Sequence, residues 1–168
     1  ANATILLNIG RLEKQKNQAF LLEIFKQYLS INPNSYLFII GEGSLHDEIL
    51  KIIKDNELDK NVFLLDPLPN VHDYYMAADY FLLPSLYEGV PFVGIEAQAA
   101  GLKCLFSDGT PEEAKILPTT ELLPLEIKKW TDAIKQPNTA KQRIAFNSIE
   151  TMKKYNINPE SVNLEITE

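Results

Sequence analysis

The sequence predicts an α/β protein built on a doubly wound parallel sheet with helices on both faces, and two observations support this prediction. Short apolar runs that end near a glycine or proline recur along the 168 residues, and stretches of helical period lie between them. Strand followed by helix, repeated five or six times, gives parallel strands in one sheet covered on both sides. At about 100–200 residues per domain, the chain is one domain or half of a two-domain enzyme.

Buried strands are predicted at short, mainly apolar runs, the strongest of which end near a glycine or proline. The strongest runs occupy residues 4–9, 36–40 and 80–83, and weaker runs occupy 62–65, 103–106 and 121–123. Such runs are typical of strands that are buried on both faces, because helices cover both sides of a parallel sheet.

The connecting helices are predicted from the spacing of apolar side chains. Residues 18–31 place them at i, i+1, i+4 and i+5, and residues 44–56 repeat this pattern with Ser44 as the expected N-cap. Further helices are predicted over 70–78, 94–100, 111–116, 126–136 and 139–155. Prolines punctuate the last third of the chain, so its helices are interpreted as a cap or tail added to the sheet.

Charge and missing motifs exclude several classes of function. The chain has 16 basic and 23 acidic residues and a net charge of −7, which disfavours nucleic acid as a partner. No apolar run approaches the roughly 18–20 residues of a membrane span, and the single Cys104 fits a reducing cytoplasm. A P-loop, a serine elbow, Asp-x-Asp and paired His/Cys spacing are missing from the sequence. We therefore expect no dedicated metal site.

The loop after the first strand carries two cations, Arg11 and Lys16, before a predicted helix. Ligands of open parallel sheets bind at the carboxyl ends of the strands. Unpaired amides at a helix N-terminus attract anions, and an arginine fork with a lysine point charge suits a diphosphate. An ordinary solvated basic loop is the alternative.

The loop after the second strand reads Gly41-Glu42-Gly43-Ser44-Leu45-His46. It begins like a dinucleotide-binding fingerprint, but His46 stands where helix–strand packing needs a small third glycine. Dinucleotide binding is therefore disfavoured. The two glycines indicate either a tight turn or close approach to a ligand.

Two glutamates follow the strand at 80–83, Glu88 in the loop and Glu96 in the first turns of a helix. Both are expected to face the crevice at the strand ends, where a carboxylate accepts hydrogen bonds from sugar hydroxyls. Residues 61–100 hold five acids and no Lys or Arg. Each glutamate must then find water, amide donors, the distant Arg11 or Lys16, or a polyhydroxylated ligand. Two solvated acids are the alternative.

Four motifs occur in a fixed order along residues 4 to about 116. They are Gly10-Arg11-Leu12 with Lys16, Ile40-Gly41-Glu42-Gly43, Ala78-Asp79 before Leu83-Pro84-Ser85, and Glu88 with Glu96 in an E-x7-E spacing. This set resembles the donor-binding domain of a retaining GT-B glycosyltransferase of family 4, of the capsular or exopolysaccharide type. The resemblance implies that residues 1–168 form a Rossmann-like, nucleotide-sugar-binding half of a GT-B fold, without the N-terminal acceptor domain. Residues 1–3 are interpreted as a cloning remnant.

The resemblance also implies a role for each matching residue. Arg11 and Lys16 would bind the donor diphosphate and stabilise the leaving nucleotide, and Glu88 would bond to the donor sugar; these three are the implied catalytic residues. Glu96 would hold the ribose hydroxyls, and the backbone around Leu65–Leu68 would line the base. The remaining implied donor-binding positions are Gly10, Gly41, Gly43, Gly89, Val90, Phe92 and Val93.

The implied function is transfer of a hexose from a nucleoside-diphosphate sugar, with a uridine donor expected first and no metal cofactor. The acceptor would be a glycan or a lipid-linked sugar in bacterial surface polysaccharide synthesis. The location would be the cytoplasm, peripheral at the inner face of the membrane through the other domain, and the isolated domain is expected to be inactive. A non-catalytic sugar-nucleotide-binding module and a GT-B epimerase are the alternatives. Two residues depart from the family pattern: Asn17 replaces a usual glycine and Lys103 a usual proline.

Overall fold

Six parallel strands form one sheet in the computed structural model, which describes residues 3–135. The strands are β1 Thr4–Ile9, β2 Ser35–Ile40, β3 Val62–Leu65, β4 Tyr80–Leu83, β5 Lys103–Ser107 and β6 Glu121–Leu123. Their order is β3-β2-β1-β4-β5-β6, with every neighbouring pair parallel. The direction of winding reverses between β1 and β4, as in Rossmann-type sheets. The predicted fold class and all six predicted strands are confirmed.

Four helices and two short 3-10 turns connect these strands within the described part of the chain, and a fifth helix follows β6. The helices are α1 Gln18–Ile31, α2 His46–Asp55, α3 Val71–Ala77, α4 Phe92–Ala99 and α5 Ile127–Ile134. Most predicted boundaries differ from these by one or two residues. The helix predicted over 139–155 lies outside the described residues.

The alternation of side chains along each strand divides the core into two layers. On one face, strand residues such as Leu7, Phe38 and Phe81 pack with residues of α3 and α4. On the other face, residues such as Leu6 and Leu82 pack with α1, α2 and α5. Because both faces are covered, the strands show continuous apolar runs instead of alternating polarity.

The prediction of a helix over 111–116 is wrong, because this segment forms only a single 3-10 turn, Glu112–Ala114. The side chain of Gln98 competes for the backbone donors that a longer helix would use. Its Oε1 accepts hydrogen bonds from the backbone N–H of Ile116 at 2.7 Å and of Leu117 at 3.0 Å. Local sequence could not indicate these two bonds, because Gln98 lies 18 residues from Ile116 and 19 residues from Leu117.

The interpretation of the last helices as a cap is wrong for α5. Trp130 is fully buried, packs edge-on against Phe20 at 6.3 Å between ring centroids, and donates its indole N–H to the Pro124 carbonyl. Lys103, which replaces the usual proline, is also buried; its Nζ lies 3.3 Å from the Ala133 carbonyl and 3.2 Å from Glu121. The helix α5 is therefore part of the core.

We expect Trp130→Ala to lower the free energy of unfolding by about 3–5 kcal/mol, because it removes a large side chain from a closed core. Urea unfolding followed by circular dichroism measures the loss, since the chain has one tryptophan and the variant loses its fluorescence. Trp130→Phe keeps a ring against Phe20 and should lose less. A loss below about 1 kcal/mol in Trp130→Ala would mean that α5 is peripheral.

Candidate functional site

The candidate site lies where β1 and β4 separate. Their register joins Leu6 to Tyr80 and Leu7 to Phe81, and the side-chain amide of Asn8 then donates to the Leu82 carbonyl at 2.8 Å. The loops that follow these two strands therefore flank the point where the sheet changes direction. This crevice is the usual ligand position in doubly wound sheets.

An ion pair joins the two flanking loops. Lys16 Nζ lies 2.5 Å from Glu88 Oε1, and the buried Ser85 hydroxyl donates to the same oxygen at 2.7 Å. The Lys16 side chain is 16% exposed and the Glu88 side chain only 5%. The predicted diphosphate cation and the predicted sugar acid are thus direct partners across 72 residues of sequence. Of the partners that the sequence left open for Glu88, the structure selects Lys16.

Backbone contacts hold the same two loops together. The Leu86 N–H donates to the Gln15 carbonyl at 2.8 Å, and the Asn17 side-chain amide donates to the Pro84 carbonyl at 3.0 Å. Asn17 adopts the left-handed conformation, with φ 57° and ψ 41°. Asparagine tolerates this conformation better than most residues, so the departure from glycine keeps a left-handed turn after Lys16.

A third loop, after β5, supports Glu88 from its other side. The Glu88 N–H donates to the Gly109 carbonyl at 3.1 Å, and the Ser107 hydroxyl donates to the Ser85 carbonyl at 2.5 Å. A Cβ on Gly109 would lie 2.4 Å from the Leu86 carbonyl oxygen. Ser85, Ser107 and Gly109 were missed as site residues. Their position at or just beyond the end of a buried strand was the available signal.

The two glycines of the second loop are required by the protein's own backbone. A Cβ on Gly41 would lie 1.9 Å from the Gly10 carbonyl oxygen, and one on Gly43 would lie 2.5 Å from the Leu12 carbonyl oxygen. Backbone bonds then join the loops, from Leu12 N–H to the Glu42 carbonyl and from Leu45 N–H to the Leu12 carbonyl. The tight-turn interpretation is confirmed, whereas ligand contact at Gly10, Gly41 and Gly43 stays a prediction.

Ser44 is not the N-cap of α2, which begins at His46 and has no side-chain cap. The Ser44 hydroxyl and backbone N–H donate instead to the Glu13 carboxylate, at 2.7 and 3.0 Å. These two bonds lower the pKa of Glu13 below its ordinary value. The pair ties the Arg11 loop to the loop after β2.

Arg11 is exposed and borders a cavity of about 330 Å³ at the carboxyl ends of β1, β2 and β3. The cavity is lined by Ile9, Gly10, Arg11, Ile40, Gly41, Glu42, Pro67, Leu68 and Val71. Leu65 is buried beneath it and its carbonyl accepts the Gly41 N–H at 2.9 Å, so Pro67 and Leu68 supply the apolar wall. An apolar hollow beside a guanidinium suits a flat heterocycle that carries an anionic group.

Glu96 lies at the carboxyl edge but is not part of the ion pair. It is exposed and borders a second cavity of about 390 Å³, which shares Val71 with the first. Tyr75 donates its hydroxyl to Glu96 Oε2 at 3.0 Å. Burial, reinforced by Glu96, raises the pKa of Tyr75, so the phenol stays protonated. Glu88 thus lies in the ion pair and Glu96 beside the neighbouring cavity, and the donor contacts expected of both stay predictions.

The other residues of the β4–α4 loop form an open rim. Val90 and Phe92 are strongly exposed, and a Cβ on Gly89 would meet nothing within 4 Å. Val93 is half-buried and its carbonyl accepts a bond from Tyr75. Their donor contacts stay predictions.

Residues 3–135 contain neither a cluster of metal-ligating side chains nor a membrane-spanning helix. No group of three His, Cys, Asp or Glu in this part of the chain is arranged to hold a metal ion. No helix in the same range combines the length and the apolar character needed to cross a membrane.

The sheet order and the crevice between β1 and β4 define a Rossmann-like half of a GT-B glycosyltransferase fold. Residues 1–136 match the family described as glycosyl transferases group 1, and the chain belongs to this family. The resemblance to glycosyltransferases is therefore confirmed, while the assignment to family 4 stays a prediction.

The relatives of this chain include named bacterial glycosyltransferases. The chain is 34% identical over 110 residues to UDP-Gal:alpha-D-GlcNAc-diphosphoundecaprenol alpha-1,3-galactosyltransferase of Escherichia coli, covering 64% of this chain and 28% of that protein. It is 29% identical over 150 residues to the capsular polysaccharide biosynthesis glycosyltransferase CapH of Staphylococcus aureus, covering 83% and 41%. The crystal structure of Anabaena HepE with UDP and glucose is similar in fold, with a TM-score of 0.72, 19% identity and coverage of 99% and 48%. The chain spans about a third of the length of the curated relatives it matches.

We expect Gly41→Ala to lower the free energy of unfolding by about 2–3 kcal/mol, because the new methyl group would overlap a backbone oxygen that has no room to move. Gly89→Ala is the matched control, since its methyl group would enter open space. Urea unfolding of both variants measures the difference. Equal stability of the two would show that the loops after β1 and β2 separate easily.

Proposed function

We propose that this chain is the nucleotide-sugar-binding domain of a retaining glycosyltransferase. The whole protein would transfer a hexose from a nucleoside-diphosphate sugar to a glycan or lipid-linked acceptor in bacterial surface polysaccharide synthesis. The observation that carries the proposal is the Lys16–Glu88 ion pair at the crevice between β1 and β4. A cation that would meet the leaving diphosphate then lies beside an acid that would meet the sugar.

Lys16 and Arg11 are proposed to bind the diphosphate. A lysine ammonium group has three donors, and Glu88 takes one of them, which leaves Lys16 able to bond to phosphate oxygens without leaving Glu88. Positive charge at this place stabilises the nucleoside diphosphate as the bond to the sugar breaks. A preorganised group of this kind contributes about 10²–10³ in rate.

Glu88 is proposed to position the donor sugar by hydrogen bonding. Its Oε1 is committed to Lys16 and Ser85 and its backbone N–H to Gly109, so the carboxylate has a fixed orientation. Ion pairing with Lys16 makes the carboxylate a weak nucleophile, which favours a role as an acceptor for a sugar hydroxyl. Retention of configuration would then depend on attack by the acceptor on the face that the nucleotide leaves.

The base and ribose are proposed to occupy the two cavities that meet at Val71. The apolar wall of Pro67 and Leu68 fits a flat base, and Glu96 in the adjoining cavity fits the ribose hydroxyls. A uridine nucleotide is proposed because the Escherichia coli relative is named for UDP-Gal and HepE was crystallised with UDP. The proposed donor needs no metal cofactor, because Arg11 and Lys16 carry the charge that a metal would supply.

The acceptor is proposed to bind mainly to a domain outside this chain, because the chain spans only about a third of its relatives. A lipid-linked acceptor would place the whole protein at the inner face of the membrane. The isolated chain would then bind donor but transfer nothing. A non-catalytic binding module would bind the same ligands and differ only in turnover.

We expect UDP and UDP-hexoses to raise the melting temperature of the full-length protein more than CDP, GDP or ADP compounds do. A ligand that binds only the native state stabilises it by about 2.7 kcal/mol at one hundred times its dissociation constant. A thermal-shift panel at equal nucleotide concentrations measures this. If no nucleoside diphosphate raises the melting temperature, the proposed function is wrong.

We expect Lys16→Ala and Glu96→Ala in the full-length enzyme to lower kcat/KM for sugar transfer at least about tenfold, because each removes a donor contact. Lys14→Ala is the matched control, since Lys14 lies in the same loop and is exposed. Lys16→Ala leaves the Glu88 carboxylate without its cation. The double variant Lys16→Ala/Glu88→Gln removes this unpaired charge, and its kcat/KM should stay as low as that of Lys16→Ala. Unchanged transfer in both single variants would contradict the site.

A further inference from the structure

We propose that Tyr75 is a positioning residue, which aims the Glu96 carboxylate at the ribose of the donor nucleotide. The inference rests on the proposed function, because it takes Glu96 as the group that binds the ribose. It adds Tyr75, a residue on another helix, as a determinant of how well Glu96 binds the ribose.

Tyr75 connects two helices at the edge of the second cavity. It lies on α3, and its hydroxyl is 3.0 Å from Oε2 of Glu96 on α4 and 3.1 Å from the carbonyl oxygen of Val93. The Tyr75 side chain is buried, and its ring packs against Phe81 at 6.1 Å between centroids. The hydroxyl is therefore presented to Glu96 on an arm that the core holds in place.

Glu96 needs such an arm because it has much freedom of its own. It is exposed on the first turns of α4, and a glutamate side chain that becomes ordered loses rotamer entropy. A bond already made by Tyr75 fixes one oxygen, so less entropy is lost when a ligand binds the other.

The chemical nature of Tyr75 as a hydrogen-bond donor matters as much as its position. Tyr75 is neutral, and the same burial that raises its pKa keeps its hydroxyl protonated. The bond therefore orients Glu96 without neutralising it, and one tyrosine proton occupies only one of the carboxylate's several acceptor positions. Glu96 keeps its charge for two adjacent hydroxyls, in contrast to Glu88, whose charge is balanced by Lys16.

The same hydroxyl also lies 3.1 Å from the Val93 carbonyl oxygen, at the start of α4. This helix follows Pro91 and has no side-chain N-cap, so its first turn receives no support from a cap. Tyr75 contacts a carbonyl of that turn and the carboxylate that extends from the next turn. Because a phenol has only one proton, the two acceptors share a single bond, and the charged Glu96 carboxylate is the stronger acceptor.

The test compares two nucleotides on the full-length protein by titration calorimetry, UDP and 2′,3′-dideoxy-UDP. A site that bonds to hydroxyls rejects an analogue that lacks them. We expect Tyr75→Phe to weaken UDP binding about five- to tenfold, because an unrestrained Glu96 side chain must be ordered when the ribose binds, and to weaken dideoxy-UDP binding less than about twofold. In transfer assays KM for the donor should rise while kcat stays within about twofold.

Three variants make the result decisive. Glu96→Ala should remove most of the preference for UDP over dideoxy-UDP, and adding Tyr75→Phe to it should cost no further affinity. Tyr28→Phe is the matched control, because this buried phenol bonds to Asn32 at the end of α1. Retained binding of dideoxy-UDP confirms that Tyr75→Phe is folded.

Two results would overturn the inference and leave the proposed function intact. One is equal weakening of both nucleotides by Tyr75→Phe, which indicates a purely structural role, and the other is no weakening of either. A Glu96→Ala variant that keeps the full preference for UDP would instead overturn the ribose role of Glu96, and the role of Tyr75 with it.

Discussion

The ion pair between Lys16 and Glu88 is the interaction on which the rest of the site depends. It joins the two loops on either side of the point where the sheet changes direction, and it is largely withdrawn from water. Charges in such a position cost desolvation energy and are tolerated only when both partners and further hydrogen bonds are present. Ser85 supplies such a bond, and the Glu88 N–H bond to Gly109 fixes the backbone beneath it. These contacts fix the position of the two loops relative to each other.

The two glutamates of the β4–α4 segment illustrate how one residue type acquires two environments. Glu88 is buried and paired with a cation, whereas Glu96 is exposed and receives a neutral hydroxyl from Tyr75. A carboxylate whose charge is balanced by a cation can lie beside the phosphate, because an unbalanced negative charge there would repel the donor. A charged one suits hydroxyl groups, because ionised acceptors form the stronger hydrogen bonds. The proposed donor would then extend from Val71 to Lys16 along the carboxyl edge of the sheet.

Much of the architecture could be predicted because the local signals are strong. A parallel strand covered on both faces is mainly apolar, so the runs ending at Ile9, Ile40 and Leu83 identify three strands, and the weaker runs are correct as well. The prediction that ligand-binding residues lie at the carboxyl ends of the strands follows from the parallel arrangement of the sheet. The errors occur where one long-range hydrogen bond replaces a local one, as with Gln98 beyond Glu112–Ala114 and Glu13 at Ser44.

By itself, the sequence determined the class of fold, the edge that carries the site and the residue types available there, because these depend on periodicity and on which residues follow each strand. Only the tertiary structure decided that Lys16 pairs with Glu88, since β1 and β4 become neighbours through strand order and not through sequence. It also decided that Tyr75 restrains Glu96. A hydrogen bond depends on the distance and angle between two atoms, and for residues on different elements these are set by how the layers pack.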